Sequence, residues 1–213
     1  MIDGLFKRHI DPLWEKAAAP LVRARLTPNQ VTAIGLVLIA IASAAYLMHR
    51  SSLVFGLTLA VAFAFDALDG AVARQRDMRS KAGGYFDAMV DRYQELIVLA
   101  AIAFVAGLWP AAFFAFAGGV LTSYAKARTA LEIAIDNDAW PDLFERLERI
   151  IFLCVLLVAD GVASAASLGS PWILFAGLTL YAVLSNITAL QRIARATAML
   201  RRADAAGRKA EGS

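Results

Sequence analysis

Six apolar stretches of near-bilayer length divide this chain. They run approximately over residues 31–48, 53–73, 85–107, 110–127, 150–162 (lengthened by the preceding 143–149) and 171–193. A helix that crosses a membrane takes roughly 20 apolar residues. Six such stretches fill most of a 213-residue chain. A composition 60% hydrophobic and only 18% charged is too apolar for an ordinary soluble domain. The expected class is therefore an all-α integral membrane protein with six transmembrane helices. The single cysteine, Cys154, lies in an apolar run and excludes an intramolecular disulfide. The N-terminus starts polar and mixed in charge, so no cleavable signal peptide is expected.

The basic residues assign the orientation. Of the 21 Lys and Arg, all but Arg50 fall in the N-terminal segment, in the second and fourth connections (Arg92 just beyond the second), or at the C-terminal end. The opposite connections are short and nearly uncharged. By the positive-inside rule, both termini are cytoplasmic. The protein is expected in the cell (inner) membrane as a multi-pass protein. Residues 1–28 form a separate element, because Ile2, Leu5, Phe6, Ile10, Leu13, Trp14 and Leu21 recur near helical spacing between cations. That pattern suits an amphipathic interfacial helix, bent or interrupted at Pro12 and Pro20. Residues 29–200 are the transmembrane domain. Residues 201–213 are a polar tail, expected to fray from 203 onward. Trp14, Trp109, Trp140 and Trp172 read as an interfacial belt, and the C-terminal arginines as contacts for anionic headgroups.

Four acids interrupt this apolar pattern. Asp66 and Asp69 are three apart, and Asp87 and Asp91 four apart, so each pair shares a helix face. The two helices are expected to be antiparallel neighbours, which brings four carboxylates together at the water boundary. Unpaired, they would repel one another. A pair of divalent cations resolves that repulsion. Mg²⁺ or Mn²⁺ suits an all-carboxylate set better than Zn²⁺, since no His or Cys lies near. The alternative is interfacial ion pairing with Arg74, Arg76, Arg79, Lys81 and Arg92. Gly70 and Ala73 leave space at the backbone, and Arg74 offers a fork for phosphate oxygens. Metal, arginine and a small-residue floor suit a pyrophosphate-bearing nucleotide. A cation-coupled transporter would instead carry its acids near the midplane, on broken helices.

The segment reads Asp-x2-Asp-Gly-x2-Ala-Arg-x8-Gly-x3-Asp-x3-Asp, through Asp66, Asp69, Gly70, Ala73, Arg74, Gly83, Asp87 and Asp91. It resembles the signature of the CDP-alcohol phosphotransferases at every fixed position. The resemblance implies transfer of a phosphatidyl-type group from a CDP-linked lipid to an alcohol, with release of CMP. It implies that the four aspartates hold two metal ions and that Asp91 also serves as general base. It places Asn29, Gln30, Val31, Thr32, Gly70, Ala73, Arg74 and Ser80 at the CDP-lipid, together with Asp66 and Asp69. It implies a homodimer; no nucleic-acid partner is expected.

The acceptor is read from four cations. Lys126 and Arg128 end the fourth stretch, and Arg146 and Arg149 begin the fifth. So many cations around one cavity suit an acceptor that already bears phosphate. The runs Ser123-Tyr-Ala-Lys-Ala-Arg128 and Glu145-Arg-Leu-Glu-Arg149 resemble the phosphatidylinositol-phosphate synthase subgroup, which implies inositol 1-phosphate. Glycerol 3-phosphate is the competing acceptor, and anchoring of helix ends the alternative role for the cations. The linker 132–143, with Asp136, Asp138 and Asp142, is more acidic than that subgroup leads one to expect.

Overall fold

The protein is described by a computed structural model over residues 2–135, 140, 142–166 and 172–211. These residues form eight helices and no strand. They are α1 (Ile2–Arg23), α2 (Pro28–His49), α3 (Ser52–Asp66), α4 (Leu68–Gln75), α5 (Lys81–Ala106), α6 (Trp109–Glu132), α7 (Arg146–Ala165) and α8 (Trp172–Glu211). Asp136 and Asp138 of the acidic linker lie outside the described residues, as do residues 167–171.

The helix boundaries have local causes. Thr27 and Gln30 form a capping box at α2, with Thr27 N–H donating to Gln30 Oε1 at 2.8 Å and Pro28 in the first turn. Ser80 caps α5 by accepting from Gly83 N–H at 3.0 Å. Gly107 closes α5 at φ 72°, a conformation glycine adopts without strain.

Three expectations change. The stretch 53–73 is not one helix: α3 stops at Asp66 and α4 starts at Leu68. Ala67, at φ −60° and ψ −9°, opens the ladder for one residue while its N–H still bonds Phe63 O at 3.0 Å. Asp66 and Asp69 thus sit on either side of a break. The interruption expected at Pro12 and Pro20 is not there; α1 is one helix, its second half seated on α4. The tail expected to fray is helical to Glu211, in keeping with its Ala, Arg and Lys, which are strong helix formers.

Helix α6 packs along α8, α3 along α7, and α2 against both α3 and α5. Glycines set the closest approaches. A Cβ at Gly161 of α7 would stand 2.2 Å from the Leu53 backbone nitrogen. One at Gly118 of α6 would stand 2.8 Å from that of Asn186. Small residues at such crossings let helix backbones meet. The main core contains Phe55, Leu59, Leu99, Ile102, Leu157 and Leu178. A smaller cluster of Ala18, Val31, Leu68, Ala71 and Val72 ties α1 to α2 and α4.

Three helices are long and apolar enough to cross a membrane: Pro28–His49, Ser52–Gln75 (α3 with α4) and Trp172–Arg208. Ile41, Val61, Phe104, Phe113, Val155 and Leu190 are exposed on the outer surface. Contiguous apolar faces of this kind need a lipid or protein environment. The charged side chains of the site come from α3 to α8, Asp66 and Asp69 from α3 and α4 and Arg192 from α8 among them.

Candidate active site

Helix α5 brings Asp87 and Asp91 against the α3–α4 break. Asp66 is buried and held from two directions. Gln94 Nε2 donates to its Oδ1 at 2.9 Å, and Arg146 Nη2 to its Oδ2 at 3.0 Å. The same Arg146 nitrogen donates to Gln94 Oε1 at 2.8 Å and lies 2.6 Å from Asp91 Oδ1. Glycine is needed opposite, because a Cβ at Gly35 would fall 2.5 Å from Asp66 Oδ1. Asp69 accepts from Thr32 Oγ1 at 2.6 Å. All four acids are close enough to feel one another's charge.

These residues fit a hard divalent cation on two counts. The donors are all carboxylate oxygens, as Mg²⁺ and Mn²⁺ prefer. Asp91 Oδ1 is buried, and its approach to Arg146 is off hydrogen-bond geometry, so a lone pair remains to be used. Among the described residues no three His, Cys, Asp or Glu side chains are drawn into a ligating set. The Arg146 guanidinium stands between Asp66 and Asp91 and supplies positive charge there.

Beside the acids opens a cavity of about 420 Å³. Asn29, Thr32, Asp69, Gly70, Ala73 and Ser80 line it, with Asp87 and Arg79. It joins the start of α2, the face of α4 and the loop before α5. Two expected lining residues do other work. Gln30 caps α2, and Val31 is buried in the small core with Ala18 and Leu68. Arg74 stands at the edge, its Nη1 3.6 Å from where a Gly70 Cβ would lie and its Nε 4.0 Å from Glu15.

A second, larger cavity of about 750 Å³ lies on the other side of Arg146. Lys126, Arg146 and Arg149 line it, and Arg92 and Arg192 join them. Its opposite wall is apolar, from Ala60, Phe63, Ala64 and Cys154. Arg128 is elsewhere. Two residues beyond Lys126, it is turned by roughly 200° around α6. It faces a separate groove and pairs with Glu132 at 2.5 Å.

Helix α8 also turns inward. Arg192 donates to Thr122 O at 3.0 Å, to Glu145 Oε1 at 3.3 Å and to Asp142, and it lies 5.7 Å from the Trp140 ring. Arg195 bonds the other oxygen of Asp142 at 3.0 Å. Asp142 thus pins the end of the acidic linker to α8. Trp140, expected at the membrane boundary, is buried, and Arg192 and Arg195 hold Asp142 rather than headgroups.

The sequence matches the family model for CDP-alcohol phosphatidyltransferase over residues 25–200. The archaetidylinositol phosphate synthase of Pyrococcus horikoshii is 33% identical over 181 residues, covering 84% of this chain and 88% of that protein. The phosphatidylinositol phosphate synthase of Streptomyces avermitilis is 32% identical over 217 residues, covering 95% and 84%. The crystal structure of Mycobacterium tuberculosis phosphatidylinositol phosphate synthase with CDP-DAG bound matches the fold with a TM-score of 0.73 at 27% identity, covering 87% of this chain and 94% of that one. The same enzyme in complex with manganese and citrate matches with a TM-score of 0.72 at 28% identity, covering 86% and 88%.

Proposed function

The chain belongs to the CDP-alcohol phosphatidyltransferase family, and from that premise we propose that it moves a phosphatidyl-type group from a CDP-linked lipid to inositol 1-phosphate, releasing CMP. One observation carries the reading. Two cavities of different chemistry flank one group of acids, at which Asp91 and Arg146 meet. The smaller has a floor of Gly70 and Ala73 and takes the cytidine diphosphate. The larger is cationic on one wall and takes a phosphorylated alcohol. The relatives that share this chain's length are named as inositol phosphate lipid synthases, which supports the same acceptor.

The placement of the side chains supports the following chemistry. The acceptor hydroxyl oxygen attacks the lipid-linked phosphorus. Its bond to phosphorus forms as the bond to the CMP oxygen breaks, and its proton passes to the Asp91 carboxylate. Lys126 and Arg192 hold the acceptor phosphate, with Arg92 and Arg149 behind them. Asn29, Thr32 and Ser80 orient the nucleotide, with Arg74 at the rim for the pyrophosphate. Asp66, Asp69, Asp87 and Asp91 would hold two divalent cations, Mg²⁺ or Mn²⁺, which when bound neutralise charge on the leaving CMP. The same reading has six spans after an interfacial α1, with residues 29–200 as the transmembrane unit. It has both termini and the site at the cytoplasmic face of the cell membrane, and a homodimer.

The test is CMP release. Purified protein receives Mn²⁺ or Mg²⁺, CDP-diacylglycerol and, in parallel, inositol 1-phosphate, glycerol 3-phosphate, free inositol or serine. The reading requires the fastest release with inositol 1-phosphate. Fastest release with glycerol 3-phosphate would overturn the choice of acceptor while leaving the reaction class standing.

A further inference from the structure

We propose that Glu95 is the positioning residue of the cationic cavity: it holds Arg92 and Arg149 so that both guanidinium groups stand ready for the phosphate of the acceptor. The inference rests on the reading that the acceptor carries phosphate. Glu95 lies one helical turn past Asp91 on α5, and its side chain is 11% exposed. Its Oε1 is 2.8 Å from Arg149 Nε and accepts from the Tyr181 hydroxyl at 2.9 Å. Its Oε2 is 3.4 Å from Arg149 Nη2 and 3.5 Å from Arg92 Nη1. One carboxylate therefore holds two arginines that both line the larger cavity.

The surroundings are built to keep it there. A Cβ at Gly119 would come within 2.8 Å of Glu95 Oε1, so α6 approaches this carboxylate closely only because glycine stands there. Arg92 is held further by Ser123 Oγ at 2.7 Å and Gly119 O at 3.3 Å, and Arg149 by Phe144 O at 3.3 Å. Four helices, α5 to α8, converge on the group. The space enclosed by Asp91, Glu95, Arg146, Arg149 and Tyr181 is only about 20 Å³, room for one water.

The physical case is preorganisation. Two guanidinium groups side by side repel, and each long side chain carries rotamer freedom that an incoming phosphate would have to freeze. A shared carboxylate removes both obstacles before the ligand arrives. A carboxylate there for stability alone would need no second arginine. Among the described residues, Arg92 has, besides Glu95, only Asp91 at 3.9 Å as an acid partner. Two cations on one half-buried carboxylate keep net positive charge at the wall, which selects a phosphorylated over a neutral alcohol.

The experiment separates acceptor binding from the rest of turnover. Full-length protein with Mn²⁺, CDP-diacylglycerol and inositol 1-phosphate is assayed for both KM values and kcat, as wild type and as Glu95→Gln, Tyr181→Phe and Gly119→Ala. Glu95→Gln is expected to raise the acceptor KM about tenfold. Tyr181→Phe and Gly119→Ala move it the same way by less, with the KM for the CDP-lipid unchanged in all three. If Glu95→Gln does not fold, the other two decide. An unchanged acceptor KM, or parallel rises in both KM values, overturns the positioning role. A wild type that turns over neither inositol 1-phosphate nor glycerol 3-phosphate overturns the phosphorylated-acceptor reading, and the role of Glu95 with it.

Discussion

Thr32→Val isolates one hydrogen bond at the smaller cavity, the one proposed to take the nucleotide. The Thr32 hydroxyl lies 2.6 Å from Asp69 Oδ2 and 3.0 Å from Pro28 O. It has one proton, and the shorter, charge-assisted contact takes it. Hydrogen bonds to charged groups contribute about 1.5–3 kcal/mol. Asp69 is only half-buried and faces the cavity, so water replaces part of that loss. A net cost of about 1–2 kcal/mol remains, or about 5- to 30-fold in kcat/KM for the CDP-lipid. Valine matches threonine in shape, so packing around α2 is kept and the melting temperature in detergent changes little. Thr32→Ser keeps the hydroxyl and is expected to stay near wild type. The assay is initial-rate CMP release over a range of CDP-diacylglycerol at saturating acceptor. Wild-type kcat/KM in Thr32→Val would refute the orientation of Asp69 by Thr32. An equal loss in Thr32→Ser would point to shape rather than to the hydrogen bond.

Three further outcomes are expected. Arg146→Gln removes the cation between Asp66 and Asp91, so Mn²⁺ affinity, read by electron paramagnetic resonance, is expected to tighten about fivefold or more while turnover falls; unchanged affinity would show that Arg146 does not compete for the acids. Lys126→Ala is expected to raise the acceptor KM about tenfold and Arg128→Ala less than about twofold, because Lys126 lines the larger cavity and Arg128 the separate groove; the reverse order would place the acceptor in the other groove. Gly161→Ala drives a Cβ into the Leu53 backbone and is expected to cost about 1–3 kcal/mol or more. Gly207→Ala meets nothing within 4 Å and gains about 0.5–1 kcal/mol; equal melting temperatures for that pair would contradict the α3–α7 contact.

The acids were legible because a carboxylate in an apolar run is costly and four of them at regular spacing narrow the explanations. The break between Asp66 and Asp69 was not, since Ala67 is neither glycine nor proline and carries no local sign of a turn. Arg128 was grouped with Lys126 on nearness in sequence, yet two residues on a helix point to nearly opposite sides. Gln94 and Glu95 could have been found: they stand three and four residues after Asp91 and so share its face. Arg192 could also have been found. Tyr181, Ser185, Thr188 and Arg192 recur at spacings of four, three and four, and all four are buried. That is a polar stripe facing inward, where positive charge near a chain end suggested lipid headgroups instead.

The two cavities are joined through shared side chains. Gln94 has both ends of its amide committed, one to Asp66 and one to Arg146. Its orientation is therefore fixed by Asp66 and Arg146 together. Arg146 in turn spans Asp66 and Asp91 while lining the cationic cavity. Any ligand that draws Arg146 toward its own phosphate loosens its hold on Asp91, the residue proposed as the base. On the proposed mechanism, binding of a phosphorylated acceptor is expected to free Asp91 for that role. A neutral alcohol offers Arg146 no competing charge and leaves that base paired. Discrimination between the two acceptors then appears in kcat as well as in KM, which a cavity acting only by attraction would not produce.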